Sequence, residues 1–331
     1  DTFVDESLYF LRFTAPHLST ASFELEFVDY WLPVDQYIGG IEHAILHLLY
    51  ARFFTKVLHD LGYVGFSEPF ARLFTQGMIY YQGAKMSKSK GNVVPPDDIV
   101  NRFGADTLRL YVLFMGPAAD DAEWSDTGVE GQRRFLDRVW RLVRGQEGDA
   151  LTERPSLDEV RDHAAALALL RRSEATIEKV TADIGERFSF HTAISALQEL
   201  VNEATKGRGD GAYDDPVGAR ALRHATQTVV SLLHSFAPHV ACELWEALGG
   251  DALWSHPWAE AEPAFLVADT VTVAVQVNGK LRDPLEVPVD MDRDALAAEA
   301  KALPKIAALI AGKTIRKEIV VPGRIVNIVV G

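Results

Sequence analysis

A single cysteine in 331 residues, Cys242, is too few for an internal disulfide framework or a cysteine-rich zinc site. That usage fits a reducing cytoplasm. Charge interrupts every apolar run well before the ~20 residues that a membrane-spanning helix needs, so no membrane partner is expected. The start, Asp1-Thr2-Phe3-Val4-Asp5, has neither the basic nor the apolar segment of a secretory signal. It also lacks an initiator Met, which suggests that the chain begins within a longer protein. Internal repeats and low-complexity tracts are missing. Cations are in the minority, 33 Lys and Arg against 47 Asp and Glu, for a net charge of −14. This excludes a surface coated in positive charge for nucleic acid, though not a local basic face.

Apolar residues at 48% and charged residues at 24% give the balance of a globular protein, and the length suits two or three domains. Composition separates four regions, 1–66, 67–126, 127–262 and 263–331. In the first, Ile41, Ile45, Leu48, Leu49 and Phe53 recur at helical spacing after Gly39-Gly40 and up to Gly62, which predicts a strong helix. In the second, strand-like pieces such as Met78-Ile79-Tyr80-Tyr81 precede two short helices that meet at Gly104. Asp97 or Asp98 can cap the first of these, and Asp106 starts the second. The third carries apolar stripes through Phe135–Val143, Leu167–Ile184, Phe190–Val201 and Leu222–Phe236, the pattern of a helix bundle. In the fourth, Val271, Val273, Val275 and Val277 alternate up to the hairpin turn Asn278-Gly279. A helix beginning at Asp292 or Asp294 follows, then strands Ile315–Val321 and Ile325–Val330 around Pro322-Gly323. That region reads as a small α+β domain.

The stretch Lys85-Met86-Ser87-Lys88-Ser89-Lys90-Gly91-Asn92 concentrates ammonium groups and hydroxyls beside a glycine. Lysines supply compact positive charge, serine hydroxyls hydrogen-bond phosphate oxygens and Gly91 lets the backbone turn, a set suited to a nucleotide triphosphate; the residue types alone also read as a solvated basic loop. Its partner candidate is Gly39-Gly40-Ile41-Glu42-His43-Ala44. Glycines at a helix start let a ligand approach free N–H groups, and Glu42 can accept hydrogen bonds from ribose hydroxyls. His43 and His47 stand four apart on one helix face. A metal pair there lacks a third ligand, so no metal is expected. At the end of the chain, Lys301, Lys305, Lys313, Arg316, Lys317 and Arg324 face Glu318 alone within the last 31 residues. This asymmetry points to phosphate binding or to a solvated face.

Residues 85–89 resemble, without mismatch, the KMSKS signature of class I aminoacyl-tRNA synthetases, and Pro95-Pro96-Asp97 follows as it tends to in that family. Tyr37–Tyr50 resembles the GGIEHAxxHLLY segment of the leucyl enzymes, and Asp1–Asp5 is similar to leucyl sequence upstream of it. Leu8 departs from the Trp often found there. Gly104–Arg109 matches the helix after the signature loop. Ser235–Val240 with Glu243-Leu244-Trp245 resembles the anticodon-binding bundle, and Val277–Lys280 with Val321–Asn327 resembles the bacterial leucyl C-terminal domain.

The likeness implies a multidomain α/β plus all-α chain. Residues 1–66 would be the C-terminal half of a Rossmann-type catalytic domain and 67–126 a connector bearing the signature loop. A helical anticodon-binding-type bundle would fill 127–262, and a small α+β tRNA-contact domain 263–331. It implies a leucine–tRNA ligase that joins leucine to ATP, with Mg²⁺ in the substrate complex, and passes leucine to tRNA(Leu). Lys85 and Lys88 would meet the charge on the departing pyrophosphate, Lys88 above all. Met86 would anchor the loop, and Ser87 and Ser89 would bond phosphate or hold the loop's shape. Gly39, Gly40, Glu42 and His43 would lie near the adenylate, and His47 near leucine. Lys313, Arg316, Lys317 and Arg324 would contact tRNA.

Neither the H-x-G-H motif of the family nor an editing domain occurs in these residues. The chain therefore reads as the C-terminal portion of such an enzyme, inactive alone, with the N-terminal half as a partner. Rival readings are a valyl, isoleucyl or methionyl relative, and a non-catalytic RNA-binding protein derived from a synthetase.

Overall fold

The computed structural model describes residues 2–267, 270–289 and 291–331. It divides into two compact units, Asp1–Ala261 and Glu262–Gly331.

The first unit opens with short helices α1 (Thr2–Asp5), α2 (Tyr9–Phe13) and α3 (Leu25–Trp31). Strand β1 (Tyr37–Gly40) runs parallel to β2 (Leu73–Gln76), with Gly39 opposite Thr75. Parallel strands need a crossover, and α4 (His47–Asp60) lies within it, the βαβ connection of an α/β sheet. The expected long helix from Ile41 is corrected here. Ile41–Ile45 forms a tight 3₁₀ turn, and α4 starts only at His47. The apolar stripe also does not face inward as a set. Leu48, Ala51 and Thr55 are buried, while Ile41, Ile45, Leu49 and Phe53 are 57–76% exposed. Periodicity predicts that a helix forms; it does not say which of two apolar sides meets the core.

A three-stranded sheet follows, with β3 (Ile79–Tyr81) antiparallel to β4 (Ala84–Lys85) and parallel to β5 (Ala122–Glu123). Helices α5 (Pro96–Phe103) and α6 (Ala105–Phe114) meet at Gly104, whose φ of +90° favours glycine. Neither Asp97 nor Asp98 caps α5. Pro95 occupies the cap position and Pro96 the first turn, which places both aspartates inside the helix, where they complement its dipole.

The bundle is built from α7 (Asp126–Val143), the short α8 (Leu157–Val160), α9 (Ala164–Ala182), α10 (Phe190–Gly209), α11 (Pro216–Leu233) and α12 (Pro238–Ala247). Its stripes converge on one core in which Phe135, Leu169, Ile194, Leu197, Leu200, Leu232, Leu233 and Phe236 are almost wholly buried. Each such side chain contributes roughly 1.5–3 kcal/mol of transfer free energy. Polar residues set the helix starts. Ser156 forms a capping box with Glu159, and Asp215 accepts hydrogen bonds from the Val217 and Gly218 N–H groups ahead of α11.

The second unit holds α13 (Pro263–Leu266) and a four-stranded sheet in the order β7-β6-β9-β8. Its strands are β6 (Thr270–Val277), β7 (Lys280–Pro288), β8 (Ile315–Val321) and β9 (Ile325–Val330). Asn278 and Gly279 turn between β6 and β7 with φ of 50° and 74°, the conformation that Asn-Gly favours. Asp292, rather than Asp294, caps α14 (Arg293–Ala302), and α15 (Pro304–Ile310) follows. Val273, Val275, Leu296, Ala300, Ile306, Val326 and Ile328 form this unit's separate core. Among the described residues no helix is long and apolar enough to cross a membrane.

Candidate functional site

The C-terminal ends of parallel strands are the usual place for ligands in open α/β sheets, and β1 ends there in Gly39-Gly40. The glycines close a strand and enter the 3₁₀ turn, so they do not sit at a helix N-terminus as expected. Glu42 folds back over Gly40 so closely that a Cβ at Gly40 would meet its carboxylate. The same carboxylate lies 4.0 Å from Lys85 Nζ at the end of β4, with both side chains about half exposed. The glycine segment and the lysine loop thus approach one another through residues 43 positions apart in the chain.

The hairpin that carries the loop turns at Gln82-Gly83, both with positive φ, and pairs Tyr80 with Lys85. Met86 donates its N–H to Ile79 O at 3.1 Å and packs against the small core of Ile99, Tyr111, Trp124 and Val129. Lys88–Lys90 makes a single 3₁₀ turn that Gly91 closes with φ +68°. Asn92 holds this arrangement. Its Oδ1 accepts from the Ser87 N–H at 2.9 Å, and its Nδ2 donates to the carbonyls of Tyr81, Ala84 and Lys85 at 3.2–3.3 Å. The Ser87 and Ser89 hydroxyls bond one another at 2.7 Å. Lys85 and Lys88 remain exposed, and among the described residues Lys88 forms no ion pair. An organising role for Asn92 is missing from the sequence reading. Its only sequence signal is its position directly after Gly91, at the end of the polar run.

His47, at the first position of α4, is buried, and its ring lies 6.2 Å from that of His43. Tyr9, Tyr37 and Phe70 surround it at 5.6, 5.7 and 6.3 Å between ring centroids. Burial holds the His47 imidazole below its ordinary value of 6.5, with Glu6 acting against that and His43 adding to it. Burial likewise raises the phenols of Tyr9 and Tyr37, with Glu6 contributing to both. Among the described residues the Nδ1 atoms of His43 and His47 have no hydrogen-bond partner. Tyr37 also contacts Phe70, at 4.8 Å between ring centroids, so the buried imidazole is enclosed in a cluster of rings in mutual contact. Tyr9 and Phe70 are absent from the sequence reading because only the fold brings them to His47. Among the described residues no group of three or more His, Cys, Asp or Glu is arranged to hold a metal.

The other sequence candidates belong to the second unit. Lys301 pairs with Glu318 at 2.9 Å and Lys305 with Asp283 at 3.0 Å, which lowers the free positive charge expected there. Lys313, Arg316, Lys317 and Arg324 are exposed and, among the described residues, form no ion pair.

Residues 29–125 match the family model of class I tRNA synthetases (I, L, M and V), and residues 167–297 match that of the anticodon-binding domain of tRNA ligase. The chain is 48% identical over 338 residues to the leucine–tRNA ligase of Thermotoga petrophila and 49% identical over 331 residues to that of a Geobacter species, strain M21. Each alignment takes in all of this chain and 40% of the relative, so the chain spans about two fifths of the length of the proteins it matches. Among solved structures, the ternary LeuRS–tRNA–LeuAMS complex of Agrobacterium radiobacter K84 superposes with a TM-score of 0.82 at 36% identity, covering 100% of this chain and 42% of that one. A methionyl-tRNA synthetase of Mycobacterium tuberculosis in complex with methionyl-adenylate shares the fold with a TM-score of 0.57 at 19% identity, over 75% of this chain and 50% of that one. With close to half of its residues identical along its whole length, and with both parts matched by the corresponding models, the chain belongs to the leucine–tRNA ligase family of class I aminoacyl-tRNA synthetases.

Proposed function

We propose that this chain is the part of a leucine–tRNA ligase that neutralises the departing pyrophosphate, lines the leucine pocket and holds tRNA(Leu). The observation that supports this reading is the 4.0 Å approach of Lys85 Nζ to Glu42 Oε1, which sets the signature loop against the glycine segment. A half-exposed pair at that distance is worth little, so ATP can exchange it at small cost. Lys85 then turns to the phosphates and Glu42 becomes free for the ribose hydroxyls. Lys88, exposed and without a carboxylate partner among the described residues, meets the charge that develops on the β- and γ-phosphates. Ser87 and Ser89 hold the loop through their shared hydrogen bond and can turn toward phosphate. Mg²⁺ arrives with ATP as part of the substrate. Leucine lies near His47, at the edge of the ring cluster that includes Tyr9, Tyr37 and Phe70.

Residues 1–66 act as part of the catalytic domain, 67–126 as the loop-bearing connector, 127–262 as the tRNA-binding bundle and 263–331 as a tRNA-contact domain. The exposed side of α4, with Leu49 and Phe53, and the preceding Ile41 and Ile45 are the apolar surface for the remainder of the ligase. The protein works in the cytoplasm. In the full-length ligase, Lys88→Ala is expected to lower leucine-dependent ATP–pyrophosphate exchange by about 10²–10³ and to spare tRNA binding. Exchange at the parent rate in that variant refutes the assignment.

A further inference from the structure

Helix α7 buries Phe135, Leu136, Val139, Leu142 and Val143 in the bundle core. Its other side does more than face solvent. Arg133, Arg134, Trp140 and Arg141 are exposed there, and Arg144 is exposed just beyond the last turn. Residues 126–144 contain five arginines and no lysine against three acids, in a chain where acids outnumber bases. Guanidinium groups fork onto phosphate and stack on flat rings, which ammonium groups do not. Arg134 meets Glu130 at 3.8 Å and Arg144 meets Glu147 at 3.6 Å, exposed pairs that exchange readily. Arg141 spends its Nε–H on the Asp137 carbonyl.

Beside Trp140 lies a cavity of about 550 Å³, within the range of small-ligand sites. Its wall combines Trp140, Arg133 and Asp137 of α7 with Phe103 of α5, Asp106 of α6 and His239 of α12. The polar groups are held in place. Arg133 donates to Asp137 Oδ1 at 3.1 Å and to Phe103 O at 3.3 Å. The largely exposed His239 ring is fixed at 2.8 Å by Asp106, which is only 5% exposed. Two carboxylates in the wall oppose a free phosphate inside, yet the half-exposed Asp137 can accept a hydrogen bond from the exocyclic amino group of a nucleobase. A 40% exposed indole offers that base a stacking surface.

We propose that this cavity receives one unpaired base of the bound RNA, with the flanking phosphates on Arg134, Arg141 and Arg144. The inference rests on the reading that the chain binds tRNA, and it adds a second contact, in the first unit, to the cations of the second.

The test is binding of the 331-residue chain to an in vitro transcribed tRNA(Leu), with a blunt RNA duplex lacking unpaired bases as control, over a series of salt concentrations. Trp140→Ala is expected to weaken tRNA binding about tenfold, to leave duplex binding and the salt slope unchanged, and to expose to chemical modification one base that the parent protects. Trp140→Phe keeps a ring and is expected to retain most of the affinity. Reversing Arg134 and Arg141 together to Glu is expected to weaken both RNAs and flatten the salt slope. Parent-like tRNA binding by Trp140→Ala, or an equal loss on tRNA and duplex, overturns the base pocket and leaves the proposed function standing. A parent chain that binds no tRNA at all overturns both.

Discussion

Asp106 of α6 closes the first turn of α12: the Val240 N–H donates to its Oδ2 at 2.7 Å, and its Oδ1 meets the His239 ring at 2.8 Å. At sequence level Asp106 reads as a residue that starts its own helix. In the fold it satisfies the orphan donor of another helix more than 130 residues away. Asp106→Ala leaves that N–H without its acceptor and is expected to cost about 1–3 kcal/mol, with a smaller loss for Asp106→Asn. Urea titration checks it; an unchanged midpoint for the alanine variant refutes it.

Asn92 ties four backbone groups of the signature loop through one amide. Asn92→Ala removes all four bonds while the lysines stay in place. In the full-length ligase, pyrophosphate exchange is expected to fall by about 10²-fold, because a displacement of about 1 Å is enough to misalign a phosphate contact. The thermal midpoint is expected to change little, since the loop is exposed. Full exchange in this variant means that the loop keeps its shape by other means.

Burial holds the His47 pKa below that of an unfolded imidazole. The unfolded chain therefore takes up a proton near pH 6.5 that the folded chain still refuses. Stability contributed by neutral His47 is complete above that pH and declines as pH falls, by at most about 1.4 kcal/mol per pH unit, until the folded ring protonates too. His47→Gln removes this dependence. Unfolding free energies of parent and variant, compared at about pH 8 and about pH 5.5, are expected to differ in slope. Parallel lines count against it.

Asp183 is 1% exposed and bonds Lys179 at 2.7 Å, Thr192 at 2.6 Å and Arg187 at 3.2 Å. Burial raises its pKa, but these bonds outweigh that and leave it lowered. Its contribution is thus present at neutral pH and lost as pH falls below the ordinary aspartate value of 3.8. Asp183→Ala is expected to destabilise the bundle by about 2–3 kcal/mol, less than for a fully buried pair because both cations stay hydrated. Calorimetry at neutral pH that finds no loss contradicts this.

If Lys313, Arg316 and Lys317 contact RNA phosphates, reversing all three to Glu weakens tRNA binding and lowers the slope of log affinity against log salt by about three. Reversing Lys301 and Lys305, which already pair with Glu318 and Asp283, is expected to alter folding more than the slope. Filter binding across salt separates the two. Equal slopes for all proteins exclude the site.

Much of the architecture was legible residue by residue. The bundle stripes through Phe135, Ile194 and Leu233 all reach the core, and Asn278-Gly279 turns as an Asn-Gly pair does. The lysine loop was visible as a polar run, and its resemblance to the KMSKS signature, rather than its residue types alone, set it apart. The side of α4 that is buried was not legible, since apolar residues lie on both sides of it. The ring cluster around His47 was not legible either, because Tyr9 and Phe70 are 38 residues before and 23 after it, and no local rule links them.

What the sequence determined by itself, then, is local. Helix period, turn type and the local shape of the lysine loop follow from backbone sterics and from side chains within a few positions of one another. Tertiary structure decided the pairings: Glu42 with Lys85, Asp106 with Val240, Lys301 with Glu318, and a wall for the cavity beside Trp140 drawn from four helices. Each pairing joins groups whose separation along the chain carries no information about their separation in space. Packing of the hydrophobic cores fixes that distance.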